Sequence, residues 1–323
     1  MRAMILAAGL GTRLRPLSLV RPKVFVPVGG TTVLDFWVSR LHDAGFEAAV
    51  INAYHLHEEL IAAVGNRRWP IPVHVQVEPE LLGTGGGIAN VRSFFQGQPF
   101  LVINGDIFCD VPLQDLLKQY IESGASAGLL MHDCPEFNNV AVDPEGIIVA
   151  FGRKASEEAG ESPERRSLAF TGIHVIHPRV LDGFAPGHPG DILTIYRKMI
   201  ADGDPPLALR MPQFFWREIG TLDSYRRLHE ELGRMGENVM PPLQTGKAVV
   251  IDPAAEVSLY ARLKGYVAVG RSSWVMKDAE LENTVLWDNV QVRSGSKLHN
   301  CVATDGAVIE GEHKNEILTG LIS

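Results

Sequence analysis

The chain has 323 residues, of which 46% are hydrophobic and 21% charged, a composition that excludes a disordered chain and suits one large domain or two unequal ones. Its formal net charge of −8 excludes a general nucleic-acid binder, which needs a broad excess of Lys and Arg against phosphate backbones. Three cysteines, Cys109, Cys134 and Cys301, stand far apart without CxxC spacing, fit neither a disulfide framework nor a zinc site, and point to a reducing cytoplasm.

In chain order, Met1–Gly9 carries one charge, is too short for a membrane helix, lacks the layout of a cleavable signal, and reads as a buried strand with no membrane association expected. To about residue 130, apolar runs at Ala3–Ala7, Ala48–Asn52, Val73–Val77, Phe100–Asn104 and Ala127–Met131 predict strands. Between them, Val33–Asp43, Leu56–Val64 and Leu113–Glu122 carry apolar residues at three- and four-residue spacing, the stripe a helix lays on a sheet. Alternating strands and helices with right-handed crossovers predict an α/β, doubly wound, mostly parallel Rossmann-like sheet.

After Asn139 the pattern changes to Val140–Val142, Ile147–Phe151 and Phe170–Ile176, read as antiparallel additions at the sheet's edge, with a polar insertion at Ser156–Ser167. Helices are expected at Asp191–Ala201 and Leu222–Leu232, separated by a proline-rich strand region, Pro205–Trp216. A first domain over 1–235, a linker over 236–246 and a tail over 247–323 follow. In the tail, Val269, Val275 and Leu281 recur every six residues, and Leu286, Val292 and Leu298 continue that interval after one five-residue step. Small or apolar residues, Ser273, Ala279, Val285, Ser296 and Val302, come four positions after several of these. Six is the period of a triangular parallel coil built from hexapeptides, here only a few turns long and expected to stack on the first domain or on a second copy of the chain as a homo-oligomer.

The charges that matter are local. Arg13, Arg15, Arg21 and Lys23 put four cations in eleven residues, against roughly one for an even spread. Gly9-Leu10-Gly11-Thr12-Arg13-Leu14 follows the first strand, so its N–H groups can turn toward a ligand at the sheet's carboxyl edge, with Gly9 and Gly11 allowing close approach. A dinucleotide fingerprint would need a third glycine where Leu14 stands, and a G-x-x-x-x-G-K-[ST] P-loop is missing near this strand. What remains is a phosphate loop charged by arginine. Lys23, stiffened by Pro22, adds a mobile point charge, and Asp106 in Asn104-Gly105-Asp106 is placed to hold Mg2+ against phosphate oxygens. A second glycine cluster, Gly83-Thr84-Gly85-Gly86-Gly87, reads as a segment preceding a helix that packs a flat base on bare backbone, or as a plain flexible loop.

With Met4-Ile5-Leu6-Ala7-Ala8-Gly9-Leu10-Gly11-Thr12-Arg13-Leu14-Arg15-Pro16-Leu17, Pro22-Lys23 and Asn104-Gly105-Asp106 in order, the chain resembles the sugar-1-phosphate nucleotidyltransferases. The resemblance runs to about residue 232 and includes Trp216-Arg217-Glu218-Ile219-Gly220-Thr221, which is similar to the family's W-x-D-[IV]-G-T element. The tail resembles the left-handed β-helix of several members. The resemblance implies a nucleoside triphosphate and a sugar 1-phosphate as substrates and Mg2+ as cofactor. It implies Arg13 on the triphosphate, Lys23 on the sugar phosphate and α-phosphoryl group, and Asp106 with Glu218 on the metal. Ala8, Gly9, Gly11, Thr12, Glu80, Gly83 and Thr84 would bind the nucleotide, and Asn139, Thr171 and Gly172 the sugar phosphate.

Three departures stand out: Val24 follows Pro22-Lys23 where the family has proline, Glu218 replaces the usual Asp, and Phe151-Gly152-Arg153-Lys154 lacks the glutamate of the family's E-K-P. They leave a non-catalytic nucleotide-sensing subunit as the alternative, while an acyltransferase working on the coil lacks an acyl-CoA-binding extension. His55, His57, His174 and His177 have no acidic or cysteine partners at ligand spacing and read as structural. The Gly83–Ile88 stretch is similar to N-acetylmuramate-1-phosphate uridylyltransferases and heptose-1-phosphate guanylyltransferases, the tail to mannose-1-phosphate guanylyltransferases, so the base stays open between G and U.

Overall fold

The computed structural model describes residues 1–152, 155, 164–237 and 239–320. Arg153, Lys154 and most of the polar insertion, from Ser156 on, lie outside the described residues. The chain divides into two compact units, one of residues 1–10 with 38–216 and one of residues 11–37 with 217–323.

The first unit is built on a nine-stranded sheet. Its strands are β1 (Arg2–Leu6), β2 (Ala48–Ala53), β3 (Val73–Val77), β4 (Phe100–Asn104), β5 (Ala127–His132), β6 (Val140–Val142), β7 (Ile148–Phe151), β8 (Arg166–Ile176) and β9 (Leu207–Arg210). The spatial order is β7-β6-β8-β4-β1-β2-β3, with β5 also paired to β8 and β9 to β5. The pairs β1–β2, β1–β4, β2–β3 and β5–β9 are parallel. Because β1 has β4 on one side and β2 on the other, the direction of winding reverses there, and the loop after β1 opens at the point where such sheets bind ligands. Met4, Ile5, Val102 and Ile103 are fully buried, as strands covered on both faces require.

Two expectations change. The antiparallel part is not confined to the edge: β8 inserts between β4 and β5 and runs antiparallel to both. From Leu168 to Ile176 every residue except Phe170 is buried, a near-continuous run that belongs to a central strand, whereas an edge strand with one wet face would alternate. Nor does the second glycine cluster precede a helix. Among the helices α1 (Val33–Asp43), α2 (His57–Gly65), α3 (Gly83–Asn90), α4 (Leu113–Ser123) and α5 (Ile192–Asp202), the glycines form the first turns of α3.

Each interior glycine weakens a helix by about 1 kcal/mol relative to alanine, so α3 needs a reason for them. The reason is close approach. A Cβ on Gly86 would lie 2.3 Å from the carbonyl oxygen of His188, one on Gly85 3.0 Å from the backbone of Asp191 and Ile192, and one on Gly87 2.8 Å from both Asn52 Nδ2 and Glu78 Oε1. The segment leading into α5 lies directly on α3, whose Gly85 and Gly86 N–H groups donate to the Gly190 carbonyl at 2.8 and 3.2 Å.

The second unit contains α6 (Leu222–Arg234) and a parallel β-helix. Thr221 caps α6 reciprocally with Ser224. The coil strands are β10 (Val249–Ile251), β11 (Glu256–Val257), β12 (Arg262–Val269), β13 (Trp274–Val275), β14 (Glu280–Leu286), β15 (Gln291–Val292), β16 (Lys297–His299), β17 (Val302–Ala303), β18 (Val308–Ile309), β19 (Glu312–Lys314) and β20 (Ile317–Leu318). One face stacks β11-β13-β15-β18; the other strands pair as β10-β12-β14-β16-β19, with β17 between β14 and β20. Val257 faces Val275 eighteen residues on, and Val275 faces Val292 seventeen on. Eighteen is three hexads, and the five-residue step at Leu281–Leu286 shortens the following turn to seventeen. Val275, Leu281, Leu286, Val292 and Leu298 fill the interior, and Ser273, Ala279, Val285, Ser296 and Val302 are all buried beside them.

Among the described residues no helix is long and apolar enough to cross a membrane. Two histidines are structural. His174 sits in β8, hydrogen-bonded through Nδ1 to the Tyr196 hydroxyl, and burial pulls its pKa down to about 3. His229 on α6 bonds through Nδ1 to the Tyr225 carbonyl at 2.9 Å, and burial pulls it down to about 4 despite that bond.

Both rings stay neutral in the fold, whereas the unfolded chain binds their protons near pH 6.5. Their contribution is therefore complete above about pH 6.5 and is lost as pH falls toward the folded values, each by about 1.4 kcal/mol per pH unit. Urea unfolding between about pH 7 and pH 5 is expected to show this slope, reduced by about one proton in His174→Gln; an unchanged slope in that variant would contradict the assignment. Gly86→Ala is expected to lose about 1–3 kcal/mol by urea unfolding, because backbone must move to admit the methyl group. A more stable variant would show that α3 and the 188–191 segment are not in obligatory contact.

Candidate functional site

In the first unit, one buried polar network ties the carboxyl ends of β1, β2 and β3. The Ala7 N–H donates to Asn52 Oδ1 at 2.7 Å, Asn52 Nδ2 donates to Glu78 Oε1 at 2.7 Å, and the Leu82 N–H donates to Glu78 Oε2 at 3.1 Å. Asn52 and Glu78 are each 2% exposed. Buried carboxylates need such partners, and here they are Asn52, which in turn holds the backbone after β1, and the entry to α3. Ala8 is buried and Gly9 exposed beyond it. Glu80 and Gly83 are also exposed. The Thr84 hydroxyl donates to Asp191 Oδ1 at 3.1 Å and accepts from the Ile192 N–H at 3.0 Å, so its oxygen is engaged at the start of α5. Glu78 was missing from the sequence reading. Its signal was a carboxylate immediately after an apolar strand and two residues before Glu80.

The end of β4 is fixed by the Gly105 N–H donating to the Leu6 carbonyl at 2.8 Å. Asp106, half-buried, occupies the turn into the short strand Ile107–Cys109. On β8, register with β5 shifts between Phe170 and His174. In that bulge the Thr171 hydroxyl donates to the Leu130 carbonyl at 2.8 Å, and Trp216 Nε1 donates to the Thr171 carbonyl at 3.0 Å. Asn104 packs where Gly172 has no Cβ, which would stand 2.4 Å from Asn104 Nδ2. The structure thus brings Thr171, Gly172 and Asn104 together. Asn139 is exposed, with its backbone bonded to Leu168 and Gly152. Trp216 is core at 4% exposure, whereas Phe214 and Phe215 wall a cavity of about 630 Å³ together with His132, Arg166, Arg210 and Gln213.

In the second unit, Gly11 heads a 3-10 turn, Thr12–Leu14, and its carbonyl accepts from the Ser18 hydroxyl at 2.7 Å. Leu14 is buried beneath the turn, and Thr12 and Arg13 are exposed on it. The space above Gly220 is already taken: a Cβ there would lie 2.8 Å from Glu218 Oε1 and 3.3 Å from Arg13 Nη2. Two residues 205 apart in sequence, the loop arginine and the glutamate of the Trp216–Thr221 element, therefore meet over one glycine. Lys23 begins a second 3-10 turn, Lys23–Phe25, closed by Phe25 N–H to the Pro22 carbonyl at 2.8 Å and Val26 N–H to the Lys23 carbonyl at 3.2 Å. Val24, in place of the family's second proline, is 1% exposed and anchors that turn by packing.

Arg21 requires a correction. Counted among the anion-binding cations, it is bonded instead to two carboxylates, Asp305 at 2.5 and 2.6 Å and Asp288 at 2.6 Å. Burial alone would lower its pKa, but these two partners outweigh burial and raise it. Arg15 is exposed.

Among the described residues no group of three or more His, Cys, Asp or Glu side chains gathers as a metal cluster. Asp106 and Glu218 offer hard carboxylate oxygens. Carboxylate oxygen is the donor type that Mg2+ takes, usually one or two per ion with phosphate oxygens and water completing the shell.

The family model for nucleotidyl transferases matches residues 2–234. The chain is 31% identical to a mannose-1-phosphate guanylyltransferase of Mycobacterium tuberculosis, covering 91% of this chain and 81% of that protein. It is 27% identical to a UTP–glucose-1-phosphate uridylyltransferase of Synechocystis, covering 96% and 90%. An N-acetylmuramate α-1-phosphate uridylyltransferase of Neisseria meningitidis is 32% identical, covering 61% and 84%. A crystal structure of a Bacillus anthracis chain assigned as a glucose-1-phosphate thymidylyltransferase has the same fold, with a TM-score of 0.61 at 20% identity over 71% of this chain and 93% of that one.

Glu78→Gln keeps the volume but turns one acceptor into a donor facing Asn52 Nδ2 or the Leu82 N–H. A loss of about 1–3 kcal/mol is expected by denaturant unfolding. Wild-type stability would mean that the network does not hold this edge.

Proposed function

The chain belongs to the nucleotidyl transferase family, and on that premise we propose that it joins a nucleoside triphosphate to a sugar 1-phosphate, giving a nucleoside diphosphate sugar and pyrophosphate. The observation that carries this reading is similarity to sugar-1-phosphate transferases along both the motif-bearing residues and the coil, over 91% of the chain in one case. Guanylyl and uridylyl transfer both fit, since relatives of the two kinds match at 31% and 32% identity. The acceptor in this reading is a mannose, heptose or N-acetylmuramate type of sugar phosphate.

The reaction is an in-line attack by a phosphate oxygen of the sugar on the α-phosphorus, with pyrophosphate leaving. A phosphate monoester has a second pKa near 6, so the nucleophile is mostly dianionic at neutral pH and needs no strong general base. What the protein supplies is alignment and relief of repulsion between two polyanions. Arg13, exposed on its turn, grips the triphosphate, and Lys23 neutralises the sugar phosphate and the α-phosphoryl group. Asp106 and Glu218 are the carboxylates that would hold Mg2+, which when bound would supply positive charge to phosphate oxygens. Backbone N–H groups of the Ala8–Thr12 loop complete the phosphate cradle.

Base contacts are assigned to the Glu80–Thr84 edge, where Glu80, Leu81 and Gly83 are exposed, because Gly85, Gly86 and Gly87 are already covered by Asp191, Ile192, His188, Asn52 and Glu78. The sugar side is assigned to Asn139, Thr171 and Gly172. There the Thr171 hydroxyl, committed to Leu130, sets the shape of the strand and leaves direct contact to its neighbours.

Four nucleoside triphosphates assayed against a panel of sugar 1-phosphates, read by pyrophosphate release, test the reading. One pair should stand out; tight triphosphate binding with no release in any pair would replace the enzyme with a nucleotide-sensing subunit of the same fold. Lys23→Ala and Asp106→Ala are each expected to lower turnover by at least about a hundredfold with the fold intact. Near-normal turnover in either would break the mechanism. Glu218→Asp should use the metal unchanged or better, and a collapse there would mark the longer side chain as an adapted ligand.

A further inference from the structure

Within the second unit, the segment that carries Lys23 is fastened at one end to a corner of the β-helix and at the other to Tyr225 of α6, which that corner also bonds. At its start, Arg21 spans two coil turns, with Nε and Nη2 on the two oxygens of Asp305 at 2.5 and 2.6 Å and Nη2 also on Asp288 Oδ2 at 2.6 Å. Asp288 and Asp305 hold the same corner in successive turns, seventeen residues apart. Backbone orients both: the Arg271 N–H donates to Asp288 Oδ1 at 2.8 Å and the Asp288 N–H to Asp305 Oδ1 at 3.0 Å. The guanidinium also lies over the Trp287 ring, 5.4 Å from its centroid.

At the other end, the Pro27 carbonyl accepts from the Tyr225 hydroxyl at 2.7 Å, and that same hydroxyl accepts from Trp287 Nε1 at 3.1 Å. Trp287 and Tyr225 are both fully buried. Arg21 directly, and Pro27 through Tyr225 of α6, thus lead to the neighbouring coil residues Asp288 and Trp287, with the Lys23–Phe25 turn between them. An ion pair of this kind adds little net stability over an apolar substitute, but a forked guanidinium on preset carboxylates fixes direction.

We propose that this corner of the coil is a brace for the transfer reaction: Arg21, Asp288, Asp305 and Tyr225 are positioning residues that set where Lys23 stands. The proposal rests on the reading of Lys23 given above. It makes the coil part of the catalytic apparatus without any coil residue touching substrate.

The test uses the full chain carrying Asp288→Asn with Asp305→Asn, Arg21→Lys, and the milder Tyr225→Phe, which releases only the Pro27 end. Hydrogen exchange at the Phe25 and Val26 amides should quicken at least about tenfold in the double variant, reporting local opening. With the pair turned over fastest in the panel assay, kcat/KM for the sugar 1-phosphate should fall at least about tenfold while affinity for that pair's nucleoside triphosphate stays within about twofold. Arg21→Lys should recover part of both effects, and Tyr225→Phe should show a smaller change in the same direction even if the double variant does not fold.

Lower thermal stability with unchanged exchange and unchanged kcat/KM would overturn the brace, leaving a purely structural clamp. So would faster exchange with wild-type kinetics. Lys23→Ala separates the two readings: an active Lys23→Ala variant sinks the lysine's role and the brace with it, whereas an inactive one beside fully active clamp variants sinks the brace alone.

Discussion

A carboxylate buried at the end of a strand must find donors, and Glu78 finds them in a way that organises the sheet's carboxyl edge. Its two oxygens take the Asn52 amide and the Leu82 N–H, and Asn52 in turn takes the Ala7 N–H. Three parallel strands therefore end in register with one another, and the loop beginning at Ala8 leaves the sheet from a fixed point. Leaving any of these groups unpaired would cost about as much as a lost buried hydrogen bond, so the network defines one geometry for the edge.

The glycine-rich helix belongs to the same constraint. Gly87 leaves room for Asn52 and Glu78, and Gly85 and Gly86 leave room for the backbone that enters α5. Bare backbone here serves close packing between protein segments. A helix with poor intrinsic propensity is kept because its neighbours occupy the space that side chains would fill.

Much of this was legible in the sequence. Phe100–Asn104 and Val73–Val77 form strands at the predicted bounds, and Val33–Asp43 forms the predicted helix, because continuous apolar runs and helical stripes are local signals. The hexad interval at Val269, Val275 and Leu281 announced a coil whose turn is three intervals long. What could not be read was partnership at long range. Nothing near Phe170–Ile176 says that it inserts between strands that precede it by forty and seventy residues. Its buried, non-alternating composition hints only that it is not at an edge. Likewise Glu78 looks like a surface acid until Asn52 is placed beside it.

The cluster of four cations in eleven residues shows the same limit most sharply. Read along the chain, Arg13, Arg15, Arg21 and Lys23 are equivalent, and their density points to an anion. In three dimensions they divide by what faces them. Arg13 is exposed, with Glu218 Oε1 near the same glycine, and Lys23 begins a turn anchored by buried Val24 and Phe25. Arg21 faces two aspartates more than 260 residues away, which share a corner only because a coil turn is seventeen residues long. Its charge is neutralised within the protein, so density of charge along the chain is no count of anion-binding residues. The same arginine reveals a dependence that sequence order hides: the lysine two residues further on is held by a part of the chain the motif does not contain.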